Sequence, residues 1–366
     1  MNTTELTQIM QRWTTVQQEL IPQLGLEVGA LTPKLEKLIH LIEWVRIEEF
    51  VDVSWNGIGR PPHDRGALAT AFVAKAVLGL ATTAALIERL QMDRALRRIC
   101  GFSLWKRLPA ESSFSRAFAE FAEGKLAERV HEIFIKTQLG SALIGHISRD
   151  GTAIEAREKP LKLAKPESKK PFKRGRPRQG ESRETKQNVI QQQMEQPLAE
   201  IVAALPKACS RGVKCNAQGY KNSWNGYKLH VDTADCGIPI SALLTSASVH
   251  DSQTAVPLSL MTAKRVTHLY DLMDAAYCSE ALRAHSRSLG HVPLIDHNPR
   301  GGEKQPFAPH EAQRYQERTQ AERTNGRLKD DFGGRHLRVK GHAKVMSHLM
   351  FGLLALSAEQ WMRLRI

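Results

Sequence analysis

The stretch LIGHISRDGTAIEAR, residues 143–157, is where the chain changes its pattern. Leu143, Ile144 and Ile147 make a short apolar strand that reaches Asp150, and Gly151 then suggests a turn. On this reading a carboxylate stands at a strand end. Upstream, residues 1–140 have helical periodicity throughout, as in PKLEKLIHLIEWVRIEEFV, HDRGALATAFVAKAVLGL and TTAALIERLQMDRALRRICGF. Gly59, Pro61 and Pro62 separate the first of these from the second, and Pro109 precedes AESSFSRAF, whose Arg116 is a candidate for reading bases. A plain helical bundle used for dimerisation suits the same residues equally well.

Downstream the period shortens. WNGYKLHVDTAD and GIPISALLTSAS alternate and are rich in β-branched residues, and the Cys-Gly between them marks a hairpin. THLYDLMDAAY is a short strand ending at Asp274, SEALRAHSRSLG is helical and HVPLID is again a strand. The order predicts a mixed α/β layer architecture, a sheet flanked by helices, over residues 141–366. An all-α domain of residues 1–140 precedes it. The segment from about 157 to 222 interrupts the α/β part, and its first half has four prolines, many charges and few core formers, so a flexible insertion is expected.

Charge narrows the partners. The chain of 366 residues has a net charge of +14 at pH 7, with a hydrophobic content of 42% typical of a globular protein. Twelve Lys or Arg and four Glu lie between Arg157 and Gln187, whereas seventeen basic and sixteen acidic residues through Gly140 nearly cancel. The excess therefore sits in one segment, which points to a nucleic acid and not to a membrane. Within it KRGRPR, Lys173 to Arg178, resembles an AT-hook, with Arg174, Arg176 and Arg178 suited to phosphates or a narrow minor groove. No secretory signal or long uncharged apolar run is visible, so a cytoplasmic, nucleoid-associated protein is expected. Five cysteines at irregular spacing do not suggest disulfides.

The stretch RYQERTQAERTNGRLKDD, residues 314–331, places Tyr315, Arg318, Glu322 and Lys329 at i, i+3, i+7 and i+14. On a helix these fall within roughly 60° of arc and make one stripe. Asp150, Asp274 and Glu322 can then face one crevice, two from strand ends and one from a helix. Carboxylates brought together repel, and a divalent cation relieves that repulsion. Mg²⁺ accepts hard oxygen ligands, and a pair of such ions suits in-line displacement at phosphorus.

With these motifs in order, the chain resembles the DDE transposases of bacterial insertion sequences, in the group whose third motif is Tyr-x2-Arg-x3-Glu-x6-Lys. Tyr315, Arg318, Glu322 and Lys329 match that spacing, SRDGTAIEA is similar to the first motif around Asp150, and DLMDAAYCSEALR to the second around Asp274. The resemblance implies an RNase H-like catalytic domain and a two-metal mechanism with Mg²⁺, Mn²⁺ being a substitute. It implies cleavage at element ends followed by attack of the freed 3′-hydroxyl on target DNA. Asp150, Asp274 and Glu322 would be the catalytic metal ligands, and Tyr315, Arg318 and Lys329 would hold the DNA strand. Partners would be double-stranded DNA, namely terminal inverted repeats and target, bound by a homodimer because two ends are joined. The N-terminal domain would bind DNA ends, dimerise, or both.

Two other functions fit the same residues: a non-catalytic DNA-binding protein of transposase descent, and a nuclease that hydrolyses without joining. Glu155, Glu158, Asp232, Asp235, Asp251 and Asp271 compete with the three acids. Asp251 reads more simply as a helix cap, Asp232 and Asp235 as hairpin-turn residues, and His230 and His250 as structural groups. Asn325 and Gly326 are the weak point of the stripe, since Gly costs about 1 kcal/mol inside a helix.

Overall fold

The computed structural model describes residues 11, 13–52, 61–161, 188–215, 218–299 and 302–365. Its N-terminal part contains helices α1 (Ile21–Val28), α2 (Pro33–Val45), α3 (Arg65–Val77), α4 (Thr83–Met92), α5 (Arg94–Ile99), α6 (Glu111–Glu123) and α7 (Leu126–Leu139). Four of these starts are chemically specified. The side chains of Thr32, Asp64, Thr82 and Asp93 accept from the free backbone N–H groups of Leu35, Ala67, Ala85 and Leu96. α2 stops at Arg46, whose backbone is left-handed with φ 44°, so the run 33–50 is a helix followed by a short 3₁₀ turn. Phe72, Phe114, Phe118 and Phe121 pack together inside the bundle.

The sheet begins with β1 (Leu143–Glu155). After α8 (Val189–Met194) and α9 (Leu198–Ala204) come β2 (Ser210–Cys215), β3 (Lys221–Ala234), β4 (Pro239–Ser246) and α10 (Ala255–Ala263). β5 (Thr267–Met273), α11 (Glu280–Ser288), β6 (Val292–Ile295), α12 (Pro309–Tyr315), α13 (Thr319–Asp330) and α14 (His342–Arg363) complete the order. β1 is central, antiparallel to β3 and parallel to β5, and β6 runs parallel beside β5. β2 and β4 divide the far side of β3 between them, β2 along its first half and β4 along its second. The expected hairpin is the β3–β4 pair, turned through Gly237 at φ 79°, a value glycine takes without strain.

β1 does not end at Asp150, as the sequence suggested. Its pairing with β5 ends at Arg149↔Met273, but its pairing with β3 continues from Asp150↔Val231 to Glu155↔Gly226. Gly151 is thus a strand residue, and Asp150 stands where one neighbouring strand stops and the other runs on. The segment 157–222 also differs from a uniformly flexible insertion. Over residues 188–215 it forms α8, α9 and β2, because Ile190 and Ile201 are buried against Val256, Met273 and Tyr277.

α14 joins the two halves. Fifteen of its 22 residues are buried, so it is a core helix with no free face, and it packs on α2, α3, α6 and α7 as well as on β4 and α13. One continuous apolar cluster runs from Leu35 through Phe72, Ile147 and Leu229 to Met362. Buried Glu359 pins this junction, accepting Lys37 at 2.7 Å, Arg327 at 3.1 Å and Arg363 at 2.5 Å. Among the described residues no helix is long and apolar enough to cross a membrane, and the five cysteines are free.

Candidate active site

Asp150 and Asp274 come from adjacent parallel strands, one residue past the last β1–β5 pair in each case. Asp274 leaves β5 and caps the following short turn, accepting from the Ala276 N–H at 2.9 Å. α13 crosses above β1 and β3 and brings the third acid. Arg318 is the connecting group. Its Nη2 donates to Glu322 Oε1 at 2.6 Å and its Nη1 lies 3.9 Å from Asp150 Oδ1.

Burial raises the pKa of Asp150 to about 6. Asp274 pushes it in the same direction, while Lys214, Arg318 and the Asn325 amide oppose the rise. The pKa of Asp274 is raised too, first by burial and then by Asp251. Burial alone would lower that of Arg318, but Tyr315, Asp150, Glu322 and Asp274 together raise it. These shifts describe two carboxylates held largely out of water, with Arg318 and Lys214 as the cations that favour their ionised forms.

The stripe of α12–α13 behaves differently from one straight helix. The chain tightens into a 3₁₀ turn over Gln316–Arg318, between the two helices, and then runs through Asn325 and Gly326 without interruption to Asp330. The expected weak point is therefore sound, and the break lies seven or more residues earlier. Asn325 is buried, and its Nδ2 donates to Asp150 Oδ2 at 2.9 Å. Tyr315 donates its hydroxyl to the Met273 carbonyl at 3.2 Å, bracing the strand end next to Asp274, and stacks on Phe307. Burial lifts its pKa to about 12. Lys329 is half-buried within electrostatic reach of Asp150, Glu155, Lys214 and Arg335, and burial lowers its pKa.

Several competing acids sort themselves by contact. Asp232 is no turn residue: it lies inside β3, fully buried, and accepts both prongs of Arg149 at 2.7 Å. Asp235 does lie in the turn and accepts from the Gly145 N–H at 2.7 Å. Glu158 accepts from the Tyr227 hydroxyl and the Gly341 N–H. Asp271 is buried among histidines. Asp251 is not the cap, since the cap of its 3₁₀ turn is His250. Its carboxylate pairs with Lys228 at 3.0 Å, lies 3.6 Å from His230 Nδ1 and faces Gly151, where a Cβ would sit 2.9 Å from Oδ1.

Asp251, Lys214 and Asn325 are thus neighbours of the site that sequence spacing did not point to. Lys214 is exposed on β2, in the segment read as an insertion. Arg116 lies elsewhere, lining an open cleft of ≈ 1390 Å³ in the helical part together with Arg65, Lys106, Arg107 and the exposed Trp105. Arg174, Arg176 and Arg178 fall outside the described residues.

A family model described as Transposase DDE domain matches residues 146–358, more than half of the chain. The chain belongs to the DDE transposase family. A second model, Transposase domain (DUF772), matches residues 27–120. No curated protein and no solved structure matches the chain. Family membership makes the molecule a transposase of the insertion-sequence kind. It also implies DNA binding, nucleic-acid cleavage and the use of divalent metal ions.

The donor set of the transposase fits such an ion. Asp150, Asp274 and Glu322 offer hard carboxylate oxygens, and the two aspartates leave adjacent strand ends, where burial makes their ionised forms costly without a cation. In the structure Glu322 turns back to Arg318, so the three acids do not converge. Among the described residues only His268, Asp271 and His291 bring three such donor atoms within 4.8 Å of one another.

Proposed function

We propose that this transposase cleaves DNA at the ends of an insertion sequence and joins the freed 3′-hydroxyl to target DNA, with Asp150, Asp274 and Glu322 as catalytic carboxylates. One observation carries the reading: the Arg318 guanidinium lies between Asp150 and Glu322 and within electrostatic reach of Asp274, so one cation already serves all three acids. The strand order β4-β3-β1-β5-β6, with β3 alone reversed among the four strands β3, β1, β5 and β6, supports an RNase H-like catalytic domain. The Tyr315, Arg318, Glu322, Lys329 spacing supports the Tyr-x2-Arg-x3-Glu-x6-Lys group.

Mg²⁺, or Mn²⁺ in its place, would be held by the three carboxylates, and a bound pair of such ions activates the attacking oxygen and stabilises the leaving oxygen. The chain's own residues account for the rest. Arg318 keeps Asp150 and Glu322 compensated, and its planar fork is of a kind that suits a phosphate. Asn325 holds Asp150 through one oxygen. Tyr315 fixes the end of β5, and Lys329 and Lys214 offer point charges to the strand's phosphates. The cleft around Arg116 and Trp105, and the basic stretch with Arg174, Arg176 and Arg178, extend the DNA contact, in a homodimer that brings two ends together.

The test uses purified protein, Mg²⁺ and a labelled DNA fragment carrying the end of the element that encodes it. Nicking and joining are expected from the natural chain. Asp150→Asn, Asp274→Asn and Glu322→Gln should bind the fragment and leave it uncut. Normal cutting by all three variants overturns the assignment. A pre-cut end that is never joined to target would make the protein a hydrolysing nuclease.

A further inference from the structure

We propose that His268, Asp271 and His291 form a second metal site, for a zinc-class divalent ion, separate from the carboxylate site. His268 and Asp271 lie on β5, and His291 stands immediately before β6, whose first residue pairs with Tyr270. His268 Nε2 is 3.1 Å from Asp271 Oδ1 and His291 Nδ1 is 3.4 Å from Asp271 Oδ2. The two imidazoles face each other with ring centroids 3.7 Å apart. All three residues are buried.

The spacing suits a small ion. One donor atom from each of the three residues lies within 4.8 Å of the other two, so modest side-chain shifts bring them to the roughly 3.3–3.4 Å that tetrahedral bonds of about 2.0–2.1 Å require. Two imidazole nitrogens and one carboxylate select zinc-class ions, whereas magnesium prefers a shell of oxygens. The carboxylate is also supported from outside, since the Ser286 hydroxyl donates to Asp271 Oδ2, as is usual around metal ligands.

An ordinary hydrogen-bonded cluster accounts for these residues less well. His268 Nδ1, His291 Nδ1 and His285 Nε2 are buried ring nitrogens without a hydrogen-bond partner. The Asp271 carboxylate already accepts from His268 and Ser286, so His291 Nδ1, 3.4 Å away, stays unpaired, and buried polar atoms left unpaired are uncommon. An ion takes the lone pair of His291 Nδ1 directly, with His268 and Asp271 as its other protein donors. Asp271 precedes the catalytic Asp274 by three residues, so the filled site would anchor the strand that presents it without joining it.

Untagged full-length protein, loaded with Zn²⁺ and desalted, should retain about one equivalent by plasma mass spectrometry. The variant combining Asp150→Asn, Asp274→Asn and Glu322→Gln should retain the same. His268→Gln and His291→Gln should lose more than about tenfold in affinity, since removing even a supporting residue commonly costs that much. Co²⁺ in place of Zn²⁺ should give visible absorption bands that vanish in a His291→Gln protein whose circular dichroism is unchanged. If the histidine variants do not fold, titration of the metal-free natural chain decides: Zn²⁺ should raise its melting temperature at concentrations where Mg²⁺ does not. The proposal fails if the natural chain retains no Zn²⁺, if the ion persists in His291→Gln, or if it is lost with Cys215→Ser instead.

Discussion

The side-chain amide of Asn325 donates to the carboxylate of Asp150 at 2.9 Å, across 175 residues of chain. This contact and the Glu322–Arg318–Asp150 chain fasten α13 and the turn before it to the two oxygens of Asp150 on β1. The helix that carries Glu322 is therefore registered against the strand that carries Asp150, two of the three acids proposed as catalytic. The Asn325 anchor sits inside α13, whereas Arg318 sits in the 3₁₀ turn that precedes it.

Replacing Asn325 with Leu removes a donor that favours ionised Asp150. The pKa of that group, already about 6, should rise further, and protons should compete better with Mg²⁺. For a rise of about one unit, the Mg²⁺ needed for half-maximal cleavage should increase roughly fivefold at pH 6 and scarcely at all at pH 8. Metal titrations of the cleavage rate at the two pH values check this. An equal change at both would show that Asn325 acts on something other than the proton equilibrium.

Asp150→Asn should abolish cleavage and yet stabilise the metal-free protein. The folded-state pKa of about 6 lies above the ordinary value of 3.8, so between these values the folded chain binds more protons than the unfolded one. Stability is thus fully present below pH 4 and is lost as pH rises through 6. The asparagine avoids that loss, worth about 1–3 kcal/mol at pH 7. Melting curves should show the variant ahead at pH 7 and level with the natural chain near pH 4. A variant less stable at pH 7 would contradict the account.

Local pattern made the elements legible, and long-range contact decided the site. The capped N-terminal helices, the β3–β4 hairpin and the strand ending before Asp274 all follow from residue type and spacing, because each depends on neighbours in sequence. Gly151 was misjudged as a turn, since glycine has that local meaning, whereas here its missing Cβ makes room for Asp251, a hundred residues away. Asn325 and Gly326 looked weak by helix propensity, which cannot register a hydrogen bond to Asp150. Lys214 lies in the second half of the 157–222 segment, which is read as one insertion with its charged first half, although Ile190 and Ile201 give residues 188–215 enough apolar burial to fold.

Gly151→Ala tests the close approach directly. Its Cβ would stand 2.9 Å from Asp251 Oδ1 and 3.1 Å from His230 Nδ1. His230 is buried and held by Thr245, so Asp251 has to move and its pair with Lys228 is strained. Overpacking of this kind costs about 1–3 kcal/mol. Adding Asp251→Ser should recover much of it in chemical denaturation. If the double variant is no more stable than Gly151→Ala alone, the strain lies against His230 or the backbone.

The buried Arg149–Asp232 pair offers the largest stability change. Arg149 precedes Asp150 on β1, so its side chain points to the opposite face of the sheet, where it is 1% exposed. Both of its contacts with Asp232 are 2.7 Å, and Thr262 adds a hydrogen bond to the same carboxylate. Arg149→Leu leaves a buried carboxylate with one neutral donor, a change that typically costs about 3–5 kcal/mol. Arg149→Leu with Asp232→Leu removes both charges and should be clearly less damaging than the single change, because no uncompensated ion remains. Urea denaturation of the two variants makes the comparison. A double variant as unstable as Arg149→Leu would mean that shape, and not charge compensation, is what the pair supplies beneath the active site.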